Sequence, residues 1–229
     1  DLNPFLKYTI LQFSEQLRPL IERMVTSQIG EVASKGALWA TVAWVHRGLM
    51  DDIASACVKG TWWQRKGVAT AVSDAIAHGY GSPAVEGRLR SLFDDPEKVV
   101  RDAASDVFSG ADFLQLLSAV PLAEAFLQSR ALNDNVHDLL QCLEGFTRSL
   151  KPYGKVICGL ADHFAGPLAA EARDFRTHRP LEADLLAKVL LRLYEQSEHD
   201  RALRQRCLDT WDALLSQRVG FDVLASIDA

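Results

Sequence analysis

The apolar residues of this chain recur every three or four positions, and nowhere do they alternate with period two over the length of a strand. The clearest case is Val136, Leu139, Leu140, Leu143, Phe146 and Leu150, which follow the i, i+3, i+4 template of one helical face. Leu181, Leu185, Leu186, Val189, Leu190, Leu193 and Tyr194 form a second such face. Leu203, Cys207, Leu208, Trp211, Leu214 and Leu215 form a third. With no strand signal beside them, these stripes predict an all-α fold with β content near zero.

Turn residues divide the stripes. Asn3-Pro4 reads as the start of a helix over about Phe5–Leu17, with Pro19 forcing a break or kink. Leu38, Val42, Val45, Leu49 and Ile53 read as one stripe closed by Gly60-Thr61, after which a helix covers about Trp62–His78. Ser82-Pro83 caps a short helix, and Asp94-Asp95-Pro96-Glu97 starts another with Pro96 in its first position, running to about Phe108. Pro121 interrupts the face made by Phe113, Leu116, Leu117 and Val120. Asn133 caps the helix that follows, Gly166-Pro167 kinks or splits a later one, and His199-Asp200 caps the last. Helices with one apolar face and short connections pair as antiparallel hairpins. A hairpin leaves an apolar side open, which the next hairpin covers. The expectation is a single domain over residues 1–229.

Composition narrows function. The chain has 25 basic and 30 acidic residues, a net charge of −5, and the two signs are mixed along its length. A dedicated nucleic-acid binder would carry a basic footprint. The 4 cysteines lie far apart in apolar helical surroundings, and without a C-x-x-C pair they read as buried, reduced thiols of a cytoplasmic protein. No apolar run is long enough to span a membrane. The chain begins at Asp1 without Met, which predicts that it was cut from a longer protein.

One stretch resembles a known family. Ser91-Leu92-Phe93-Asp94-Asp95-Pro96-Glu97-Lys98-Val99-Val100-Arg101-Asp102-Ala103-Ala104 resembles the first-helix signature of a HEAT repeat, with the best hairpin over about 91–129. Arg65–Ile76 and Leu203–Leu215 are similar more loosely. The resemblance implies an irregular HEAT-like solenoid of stacked antiparallel helical hairpins, with Asp95 and Arg101 bridging neighbouring repeats. The repeat period is irregular, and Pro121 and Pro167 fall where a regular repeat would be helical. The segment from Leu181 onward also looks like the C-terminal helical ends of large bacterial multidomain ATPases and defence proteins.

Catalytic motifs are missing. There is no glycine-rich loop ending in Gly-Lys-Ser or Gly-Lys-Thr, no G-x-S-x-G and no H-E-x-x-H, so no cofactor and no enzymatic activity are expected. The strongest enzymatic alternative is an all-α metal-dependent phosphohydrolase using His78, His137-Asp138 and Asp162, which occur in the right order. Asp138 in a first helical turn, however, is also what the helix dipole favours. The strongest binding candidate is Trp62-Trp63-Gln64-Arg65-Lys66, with Arg88 and Arg90 one helix later. Trp and Arg anchor protein interfaces. The same mixture can stack on bases and neutralise phosphates, or a tryptophan can simply anchor a hairpin. Trp39, Trp44 and Trp211 fall on or beside the stripes and read as core. The leading expectation is a non-catalytic module that binds a protein partner or another domain of its parent chain. Nucleic-acid binding is the alternative.

Overall fold

The structure is a computed structural model that describes residues 4–109, 112–165 and 180–216. Among these, all regular structure is helical. The chain divides into two compact units, residues 1–135 and 136–229.

The first unit opens with α1 (Pro4–Gln12) and α2 (Ser14–Val25). The break expected at Pro19 lies instead at Phe13, whose backbone leaves the helical region (φ −119°, ψ 27°), and α2 runs through Pro19. Then come α3 (Gly30–Arg47) and α4 (Asp51–Val58). The sequence stripe from Leu38 to Ile53 is thus two helices. Gly48, at φ 69°, ends α3 in the left-handed conformation that glycine adopts without a Cβ penalty. Its N–H and that of Leu49 bond back to the carbonyls of Trp44 and Ala43.

α5 (Trp62–Ala77) packs against both α3 and α7. Its start is fastened by Gln64, whose Oε1 accepts the Thr61 N–H at 2.7 Å while its amide donates to the Val25 carbonyl at 2.9 Å. α6 (Pro83–Leu92) begins as the sequence suggests, with the Ser82 hydroxyl accepting the Val85 N–H. α7 (Lys98–Ser105) starts two residues after Pro96, which therefore lies outside the helix rather than in its first position. The turn before it is closed by the Asp95 carboxylate, which accepts the Glu97 N–H at 2.9 Å. The helix tightens into a 3-10 turn at Asp106–Ser109. Pro121 does not interrupt α8 (Ala119–Leu127). It is the third residue of that helix, where a backbone N–H would have no intrahelical partner anyway.

Small residues set the spacing of α2, α3 and α5. A Cβ on Gly67 would collide with the Ser34 carbonyl oxygen and lie 3.0 Å from the Leu38 nitrogen. One on Gly36 would lie 2.7 Å from the Val25 nitrogen. Ala37, Ala40, Ala69, Ala71 and Ala75 are buried along the same helices. Gly67→Ala should therefore destabilise the protein. It gains roughly 1 kcal/mol of helix propensity but forces two helix backbones apart, and overpacking of this kind costs about 1–3 kcal/mol. Urea denaturation measures the balance, and a stabilised Gly67→Ala variant would disprove the close crossing.

The core of this unit continues into four phenylalanines. Phe108 sits against Phe126 (ring centroids 4.7 Å apart), Phe113 (5.2 Å) and Phe93 (6.0 Å), and all four are essentially inaccessible.

α9 (Ala131–Gly145) carries one non-helical residue, Asn135 (φ −133°, ψ 23°). The interruption falls two residues after the cap expected at Asn133, at the boundary between the units. Beyond it, Val136, Leu139, Leu140, Leu143, Phe146 and Leu150 are all buried. The second unit adds α10 (Gly154–Ala165), α11 (Pro180–Gln196) and α12 (Arg201–Ser216). Arg192 of α11 donates to the carbonyls of Leu143 and Glu144, tying off the end of α9. Asp200 accepts the Leu203 N–H at 3.0 Å and caps α12. Leu181 departs from the stripe and is exposed. The break expected at Gly166-Pro167 lies outside the described residues.

Candidate functional site

The start of α5 lies across the start of α3. The indole of Trp63 rests on Gly30, where any Cβ would collide with the ring. Trp62 stacks on Trp63, with ring centroids 3.8 Å apart and planes at 24°. Trp63, Lys66 and Thr70 occupy successive turns of α5 and form one wall of a groove of about 450 Å³. Glu31, Val32, Ser34, Lys35 and Leu38 of α3 form the other, with Met24 of α2 between.

The chemistry of the groove is amphipathic. Met24, Val32, Leu38 and the indole supply apolar surface, and Thr70 and Ser34 add hydroxyls. Lys35 and Lys66 have no carboxylate partner among the described residues. Glu31 is the one acidic lining residue. Two ammonium groups beside an aromatic and aliphatic floor suit a carboxylate-bearing ligand that also carries an apolar group.

The six residues singled out in the sequence separate spatially. Trp63 and Lys66 line this groove, and Trp62 backs it. Arg65 turns the other way. Its guanidinium takes both oxygens of Asp95, at 2.6 and 3.0 Å, and donates to the Gly60 carbonyl at 2.8 Å. The side chains are 18% and 5% exposed, and the bond to Asp95 raises the pKa of Arg65 further. Arg88 is also directed inward. It lies 3.8 Å over the Trp44 ring and donates to the Ser55 hydroxyl at 2.9 Å and to Asp51 at 3.4 Å. Burial lowers its pKa despite Asp51. Arg90 is exposed on α6 beside Glu86, at 3.5 Å. Arg101 reaches Asp134 at 2.7 Å and the carbonyls of Asp95 and Pro96 at 2.7 and 2.9 Å.

The groove's α3 wall was not singled out in the sequence. Lys35 sits four residues after Glu31 and reads there as one half of a helical ion pair. Only the packing of α3 on α5 turns it towards Trp63.

The residues considered for a metal site have other surroundings. His78 is exposed, and its Nδ1–H donates to the Asp74 carbonyl, 2.7 Å away. Asp162 pairs with Arg206 at 2.5 Å. Among the described residues, no group of three His, Cys, Asp or Glu side chains converges on one point. No described helix is long and apolar enough to cross a membrane. Comparison with protein-family models, curated proteins and solved structures finds no match to this chain.

Proposed function

We propose that this chain is a non-catalytic interaction module that holds an acidic segment of a partner protein in the groove between α3 and α5. The observation that carries this reading is the pair of lysines, Lys35 and Lys66, that have no carboxylate partner among the described residues and flank Trp63 over an apolar floor. An acidic peptide places a carboxylate between the ammonium groups and an aliphatic or aromatic side chain against the indole. Trp63 is the anchor, because a rigid indole gives much contact area for little lost freedom.

An irregular HEAT-like stack is the scaffold we propose for it. The contacts between α3, α5 and α7, and between α6 and α8, support this, since helices alternate between two rows in such an array. The ion pairs Arg65–Asp95 and Arg101–Asp134 support it too, each joining one helical pair to the next. On this reading the acidic segment belongs to a separate protein or to another part of a longer parent chain, and the array senses or couples rather than catalyses.

The test is selection of short peptides from a displayed random library against the full chain. Acidic sequences containing an aromatic or branched apolar residue should be enriched. Lys35→Glu/Lys66→Glu should weaken the best peptide by about tenfold or more, with unchanged helicity by circular dichroism. Peptides without acidic bias, or equal binding by the double variant, would remove this function. A single-stranded oligonucleotide serves as the competing probe. If it bound more tightly than any peptide, with a steep loss in salt, nucleic-acid recognition would replace the protein reading.

A further inference from the structure

Side chains from α1, α3 and α5 meet at one tyrosine. Gly79, at φ 81°, follows the end of α5, and the Tyr80 N–H donates back to the Ala75 carbonyl at 2.9 Å, which fixes the ring beside that helix. The His46 imidazole of α3 meets the ring edge-on, with centroids 4.4 Å apart. The Lys7 ammonium of α1 lies 5.3 Å from the centre of the same ring. Lys7 also reaches the Asp74 carboxylate of α5 at 3.5 Å, with the two side chains 21% and 13% exposed. These contacts matter to α1 because its apolar hold is thin. Ile10 is its buried residue, while Phe5 and Tyr8 are exposed.

We propose that Lys7, Asp74 and Tyr80 form an acid-released clasp on α1, opened by protonation of His46. The neutral imidazole packs its edge against the Tyr80 ring and leaves the face and the carboxylate to Lys7. A protonated imidazole puts a second cation on the same ring. Lys7 and His46 then repel each other and compete for Asp74. α1 is the element that gives way. His46 belongs to α3 and Asp74 to α5, and those two helices are locked together at the close crossing of Gly67 on Ser34 and Leu38.

The surroundings of His46 give the direction of the effect. Burial, and then the Lys7 ammonium, hold its pKa below the ordinary 6.5, against the pull of Asp74. With α1 released, the imidazole regains water and loses Lys7, so it takes up a proton more readily than in the docked state. Docking is therefore at full strength above the ordinary value and weakens as pH falls below it. Other charged groups surround the same part of α3. Arg47 follows His46 on its own helix and is exposed. His78 of α5 also faces Asp74, with Nδ1 3.5 Å from the carboxylate. On α2 and α4, Arg18 pairs with Glu22 and Asp52, and Asp51 pairs with Arg88.

The experiment is hydrogen exchange of the intact chain, read by mass at about pH 7.5 and about pH 5.5 and corrected for the intrinsic exchange rate of each amide. Protection of α1 should fall about threefold or more at the lower pH, while α3 and α5 keep theirs. His46→Gln should hold α1 protection constant between the two conditions. His78→Gln should leave the fall in place. Lys7→Met should lower α1 protection at the higher pH and remove most of its pH dependence, a readout that does not depend on how the His46 variant folds. Equal α1 protection at both pH values in the wild-type chain would overturn the proposal. So would a fall that survives His46→Gln, a fall that disappears with His78→Gln, or an equal loss of protection from α1, α3 and α5 together, which is acid unfolding of the whole unit.

Discussion

Asp95→Ala is expected to cost about 3–5 kcal/mol of folding stability, the effect of removing one partner from a buried ion pair. The loss is large because the aspartate does two things at once. Its carboxylate takes the forked guanidinium of Arg65 and the N–H of Glu97. Alanine leaves a guanidinium largely shielded from water, with only the Gly60 carbonyl as an internal partner, and opens the turn that leads into α7. Asp95→Asn separates the two contributions. The amide oxygen can still accept the Glu97 N–H, so Asn should recover part of the loss and leave the missing charge as the remainder. Urea denaturation of the three proteins gives the values. A cost below about 1 kcal/mol for Asp95→Ala would mean that the pair behaves like a solvated surface contact.

Phe108→Ala should be comparably damaging, at about 3–5 kcal/mol. Phe108 sits on a short 3-10 turn and touches three other rings. Its removal takes away transfer energy and leaves a cavity, and it also ends edge-to-face contacts worth about 0.5–1.5 kcal/mol each. Phe108→Leu restores most of the volume without the ring geometry, so the difference between the two variants isolates cavity from aromatic contact. Equal stabilities for Ala and Leu would show that the cluster closes over the gap.

Helix content was legible in the sequence because periodicity is local and strong. The stripe from Val136 to Leu150 is buried throughout, and Ser82-Pro83 and Asp200 cap where their chemistry suggests. Prolines misled. Whether a proline breaks a helix depends on where the first turn falls, and Pro121 in a first turn is harmless while the chain breaks at Phe13 rather than Pro19. Gly48 was a readable signal hidden inside a continuous apolar stripe.

The candidate site was half legible. Trp63 and Lys66 stand out as an aromatic next to bases, but so does Arg65, one residue away and facing the interior. Consecutive helical positions differ by about 100°, and only the location of Asp95 says which of them turns inward. The role of Lys35 depends on which helices touch, which a single sequence does not encode locally.

Because Gly36 and Gly67 bring α2, α3 and α5 together backbone to backbone, the walls of the lysine groove have little room to slide. If the groove binds as proposed, it would not reshape itself around its guest. Accommodation would fall to the incoming segment, which would lose its own freedom on entry. Selectivity would then rest on the length and bend of the visitor as much as on its charge.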